Sequence, residues 1–120
     1  MERVAVVGAS PKEERYSYQA IKMLLEHGHN PIPIAIAVKE ILGQKTYKNV
    51  LDIGESVETV TMYVGAQKQS EIIESIIVLK PSRVIFNPGA ENPSQYERLN
   101  EAGIDVIEAC TLVLLRTNQF

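Results

Sequence analysis

The sequence predicts an α/β domain: a three-layer sandwich with a five-stranded parallel sheet covered by helices on both faces. Three observations predict it. Short aliphatic and β-branched runs alternate with longer segments of helical periodicity. Glycine or proline punctuates most junctions between them. The 120 residues, 45% of them apolar, suit one domain with a substantial core. There is no Trp and aromatics are 6%, so aliphatic side chains must fill that core.

The elements follow in order. Val4–Val7 is a continuous apolar run closed by Gly8, the pattern of a strand buried on both faces. From Ser17, the residues Ala20, Ile21, Leu24 and Leu25 recur at helical spacing, and Gly28 supplies the stop. "PIPIAIAV" (31–38) reads as a second strand with its prolines at the start, where a missing N–H is tolerated. Residues 39–56 are turn-rich, with one short helical turn. "VETVTMYV" (57–64) is a third strand. Residues 67–81 form a helix whose apolar face holds Ile72, Ile73, Ile76, Ile77 and Leu79. "RVIFNPG" (83–89) is a fourth strand running into a sharp turn, 93–103 a helix closed by Gly103, 104–109 a fifth strand and "CTLVLLRT" a last short helix. This alternation means a parallel sheet. The predicted strand order is 3-2-1-4-5, that of a Rossmann-like domain. No repeat, low-complexity segment or linker interrupts it, so residues 1–120 read as a single domain.

Composition narrows the partners. A net charge of −3 argues against nucleic acid, whose binders carry a basic patch. The single cysteine, Cys110, has no internal partner, and the simplest setting is reducing and cytoplasmic. The opening "MERVAVVGAS" lacks the longer apolar region and cleavage site of a secretion signal. No stretch is long enough to span a membrane. The tail "CTLVLLRTNQF" offers apolar area for a homodimer.

In an open parallel sheet, ligands bind outside the carboxyl ends of the strands, where the strand order switches. This places "GASPKEERYS", the segment from Ala37, "GAQKQ" and "NPGAENPS" around one crevice. The first of these has parts for an anion. Gly8 permits a tight turn and close approach, Ser10 offers a hydroxyl, and Lys12 and Arg15 add positive charge. Ser17 either caps the helix or leaves the neighbouring N–H groups facing a phosphate. Ordinary NAD binding does not fit. Its Gly-x-Gly-x-x-Gly pattern would need glycines where Ser10 and Glu13 stand, and the second strand ends "IAIAV" without an acid for a ribose. "NPGAEN" (87–92) is either a ligand-facing turn, with Asn87 and Asn92 as polar groups, or simply a well-made turn with Asn92 or Ser94 capping the next helix.

"VVGASPKEERYSYQAIKMLLEHGHNPIPI", "FNPGAEN" and "GIDVIEACTLVLL" together resemble the small stand-alone CoA-binding domain proteins, which are similar to the N-terminal domain of the succinyl-CoA synthetase alpha subunit. The resemblance covers essentially the whole chain. It implies a Rossmann-like fold with CoA or an acyl-CoA in the crevice. By position, the implied contacts are Gly8, Ala9, Ser10 and Pro11, then Arg15, Tyr16 and Ser17, then Asn87, Pro88, Gly89 and Asn92, with Lys12 beside them. One departure stands out. Many relatives have Val-Asn-Pro-Lys after the second strand, whereas here Ile34, Ala35, Ile36 and Ala37 occupy that stretch and Lys39 is displaced by two positions. The adenosine end is therefore expected to be bound differently, or weakly.

Chemistry is less well signposted. His27 and His29 flank Gly28 at the amino end of the sheet, away from the crevice, and His27 suits a helix C-terminus. Cys110 follows the fifth strand; it reads as a small apolar residue, since no His or Asp motif accompanies it. Glu91 and Glu108 are the nearest carboxylates but form no recognisable acid–base pair. One Cys and two distant His do not make a metal site. The expected function is a CoA- or acyl-CoA-binding module without catalysis of its own. The alternatives are a small enzyme using Cys110 or Glu91 on an acyl-CoA or nucleotide, and an interaction domain without a ligand.

Overall fold

The structure, a computed structural model, describes every residue from 1 to 120. In chain order it contains β1 (Arg3–Val7), α1 (Tyr16–Glu26), β2 (Asn30–Ile34), a small hairpin of β3 (Glu40–Ile41) and β4 (Gln44–Lys45), β5 (Thr59–Met62), α2 (Ser70–Leu79), β6 (Arg83–Phe86), α3 (Tyr96–Glu101), β7 (Asp105–Glu108) and α4 (Thr111–Arg116). Short 3-10 turns lie at Val50–Asp52, Ala66–Lys68 and Pro93–Gln95. The five strands of the main sheet are all parallel, in the order β2-β1-β5-β6-β7. Every expected strand and helix is present. The β3–β4 hairpin in the turn-rich segment was not expected.

The strand order is a correction. Counting only the strands of the main sheet, it runs 2-1-3-4-5, not 3-2-1-4-5. The reason lies in the prolines of β2. Asn30 N–H donates to the Glu2 carbonyl, on the β1 side, and Ala35 N–H donates outward to Tyr47. Alternation then turns the nitrogens of Pro31 and Pro33 to the outer edge, where neither has a hydrogen to give. A further parallel strand would find no complete ladder there, so β2 is an edge strand. Tyr47 and the hairpin occupy part of that edge, with Tyr47 N–H donating to the Pro33 carbonyl. The next strand of the sheet, β5, enters on the far side of β1. β2 also ends at Ile34 rather than Val38, because the chain leaves the sheet after Ala35 meets Tyr47.

Both faces of β1 are buried, as its unbroken apolar run requires. Val4 and Val6 pack with Ile21 and Leu24 of α1 and Leu115 of α4. Ala5 and Val7 face the larger cluster, with Val60, Met62, Ile73 and Ile76 of α2, Phe86, and Leu99 of α3. Each such side chain contributes about 1.5–3 kcal/mol by leaving water. In the C-terminal segment Leu112 and Leu115 are buried within the chain, so the tail presents Val113 and the half-buried Leu114 to the outside. Phe120 closes over the amino end of the sheet, with its ring 5.1 Å from His29 and 4.5 Å from the Arg83 guanidinium. No helix is long and apolar enough to cross a membrane.

Candidate functional site

The carboxyl ends of β1, β2 and β5 open onto a cleft of about 630 Å³. Four pieces of chain line it: Val7, Gly8, Ala9 and Pro11 after β1; Ile34 to Val38 after β2; Lys48 to Val50; and Val64 with the start of α2, including Gln67, Lys68, Ser70, Glu71 and Ile72. The position follows from topology. In a 2-1-3-4-5 sheet the connections leaving the first strand and the third diverge, and the crevice opens between them.

At Gly8 the backbone has φ +86°, and a Cβ built there would stand 2.9 Å from the Val64 side chain and 3.3 Å from the backbone of Tyr63 and Val64. The missing side chain therefore makes room for the neighbouring β5 segment, and the turn it permits brings Ala9 to the cleft. Ser10 Oγ accepts from Lys12 N–H at 3.1 Å, closing a local turn. Lys12 and Arg15 are exposed and, like Ser10, lie outside the cleft lining.

Arg15 occupies the N-cap of α1 in extended conformation, with no side chain capping the helix and no acid in the first turn. Ser17 is not the cap: it is the second residue of the helix and is buried, while Tyr16 is 65% exposed. Of the twelve residues expected at the site, the cleft brings together Gly8, Ala9 and Pro11.

The turn at 87–92 has a different neighbourhood. Asn87 is buried, and its amide is fully engaged. Nδ2 donates to Thr61 Oγ1 (2.7 Å) and the Met62 carbonyl (3.0 Å), and Oδ1 accepts from Thr111 N–H (2.9 Å). It thus ties β5 and β6 to the start of α4, whose own N-cap, Cys110, provides no side-chain bond. Asn92 Nδ2 donates to Gln69 Oε1 at 3.1 Å, and Ser94 donates to Asn92 Oδ1. Pro88 and Gly89 are exposed, and Gly89 N–H donates to Glu91 Oε1. Glu108 accepts from the Tyr96 hydroxyl at 2.7 Å. Partial burial first, and then Glu108, push that phenol up to about 12. None of these groups lines the cleft.

Gln69 is the residue that joins the two regions. It is fully buried and donates through Nε2 to the carbonyls of Val64 and Ala90, both at 2.7 Å. Sitting at the N-cap of α2 with its side chain turned inward, it fixes that helix start against the cleft without capping it. Within "GAQKQ" only its place just before an apolar helix pointed to it. Lys68 shares that crevice segment and Lys48 lies in the turn-rich stretch after β2, but nothing in the sequence singled either out. The carboxyl end of the sheet also holds Tyr63. Its hydroxyl is buried without a hydrogen bond, close to Thr61, Thr111 and Cys110, and burial pushes it up to about 12.

The histidines are where the sequence put them. His27 Nδ1 contacts the Met23 carbonyl at 2.8 Å at the end of α1, and His29 Nδ1 accepts from Glu2 N–H at 3.1 Å.

Comparisons with known proteins agree with this fold. A family model for a CoA binding domain matches residues 2–116. The crystal structure of an uncharacterized protein superposes with a TM-score of 0.93 at 42% identity, covering 100% of this chain and 98% of its own. The alpha subunit of ADP-forming acetate–CoA ligase I from Pyrococcus furiosus is 35% identical over 77 residues, which is 59% of this chain and 17% of that subunit. The protein YneT of Bacillus subtilis is 26% identical over 105 residues, 88% of this chain and 78% of its own.

Proposed function

This chain belongs to the CoA-binding domain family, and from that membership we propose that it binds CoA or an acyl-CoA in the cleft beyond β1, β2 and β5. The observation that carries the reading is the cleft itself: about 630 Å³, at the switch point of a parallel sheet, within the usual range for small-ligand sites. Its residues suit the group. Ile34, Ala35, Ile36, Val50 and Ile72 offer apolar walls for a heterocycle and an aliphatic arm, Gly8 and Ala9 leave the backbone accessible, and lysines stand at the lining. The ligase relative takes CoA as a substrate by name; this chain matches a small part of that subunit.

The reading is a binding module rather than an enzyme. Glu91, Glu108 and Cys110, the groups with reactive potential, lie outside the cleft lining, and both carboxylates are tied to local partners. The free thiol suits a reducing, cytoplasmic setting.

Two measurements test it. Adding CoA raises the melting temperature, and mass spectrometry of small molecules retained on the purified protein finds CoA or a thioester of it. A folded protein whose melting temperature does not move at millimolar CoA would refute the proposal.

A further inference from the structure

Two lysines stand in the walls of the cleft with no partner of their own, and we infer that Lys48 and Lys68 hold the phosphate groups of its ligand and select for a phosphorylated one. This rests on the reading that the cleft binds CoA, and it names which cations meet the anionic part.

The observations are these. Lys48 lies just before the 3-10 turn at Val50–Asp52, and Lys68 ends the turn that leads into α2. Both line the cleft. The chain's three ion pairs use Arg3, Arg83 and Arg98. Lys45 lies over the Tyr47 ring. Lys48 and Lys68 enter none of these contacts. The stretch directly after β2, Ala35 to Val38, brings no charge, and Lys12, Arg15 and Lys39 are not in the lining. In a chain of net charge −3, the cleft's positive charge therefore comes from two residues on separate segments. Two exposed ammonium groups without carboxylate partners at the edge of apolar walls attract an anion, and an ammonium binds phosphate as a point charge from many directions.

Glu71 opposes them. It is the one acid in the lining, three residues beyond Lys68 in sequence and in the first turn of α2, so its charge offsets part of that lysine's. Lys48 accordingly carries the larger share.

The test is calorimetric titration of the full chain with CoA, ADP, adenosine and pantetheine. Lys48→Ala is expected to weaken CoA and ADP about tenfold, Lys68→Ala by less, and the double variant by roughly the product. Pantetheine, which carries no phosphate, should bind the variants as it binds the unaltered protein. Lys48→Arg should recover most of the loss, Glu71→Gln should tighten CoA, and Lys22→Ala on α1 controls for net charge alone. Raising the salt concentration should weaken CoA less in the double variant than in the unaltered protein. If the unaltered protein does not bind CoA, the proposed function fails and this inference with it. If it binds CoA and the double variant binds it within twofold, this inference alone fails. Equal losses for CoA and pantetheine would also overturn it, since the lysines would then be shaping the cleft rather than holding phosphate.

Discussion

At the scale of single residues, two positions carry constraints that can be read in free energy. Gly8 faces two at once, a left-handed φ and a neighbour at 2.9 Å, whereas Gly28 at φ +80° has nothing within 4 Å of a built Cβ. Gly28→Ala should therefore cost only the backbone strain, about 1–2 kcal/mol. Gly8→Ala should cost that and more, because the clash includes β5-side backbone that cannot swing away. Denaturant midpoints at equal m-values compare the two, and equal losses would show that Val64 yields freely. His29 gives a pH dependence. Burial lowers its pKa below the ordinary 6.5, with Glu2 opposing and His27 and Arg83 adding to the shift. Its Nδ1 must stay unprotonated to accept from Glu2 N–H. The unfolded chain then takes up the proton first as pH falls, so stability should decline on the acid side of about 6.5 and be flat above it for this group. His29→Gln keeps an acceptor without a titrating proton. Unfolding free energies against pH should show a shallower acid slope in that variant, and an unchanged slope would assign it to other groups.

At the scale of elements, α4 shows how a turn that reads as ligand-facing also holds a helix in place. This six-residue helix has no capping side chain of its own and takes one from Asn87, at the end of β6, which also bonds Thr61 on the neighbouring β5. Asn87→Ala would orphan Thr111 N–H and deprive Thr61 and Met62 of a donor, at about 1–3 kcal/mol for each group left buried and unsatisfied. Hydrogen exchange in the variant should show α4 opening before the sheet, and an α4 as protected as before would mean that water replaces the amide. The sequence made the Asn-Pro-Gly turn and the short helix after Cys110 legible, but not the bond between them. Turn chemistry is local, whereas the partners of Asn87 come from strand neighbours and a helix 24 residues on. The edge position of β2 was legible in principle. Two prolines at alternate positions both remove donors from one side of the strand, and reading them as merely early in the strand missed that they share a side.

At the scale of the whole molecule, strand order decides which loops meet. With the order 3-2-1-4-5, the switch lies between the first strand and the fourth, and "GASPKE" would face "NPGAEN". With the observed order, β5 lies beside β1, and the loop after β1 faces Val64 and the start of α2, while residues 87–92 sit one strand further away. Composition and periodicity gave the elements and their parallel stacking because those depend on local patterns. They could not give the order, which depends on which strand edges remain able to pair. The site inherits that difference, and it predicts a footprint. On adding CoA, amide exchange should slow at residues 8–11, 34–38, 48–50 and 67–72, beyond the uniform protection that stabilising the native state brings everywhere. Residues 87–92 should show only the uniform part, because Asn87 and Asn92 already spend their side chains on the protein. The contrast is best measured at a CoA concentration that saturates the cleft, in deuterated buffer, peptide by peptide. Excess slowing centred on 87–92, with 34–38 and 67–72 unmoved, would put the ligand on the other side of β5 and remove the topological basis for the cleft.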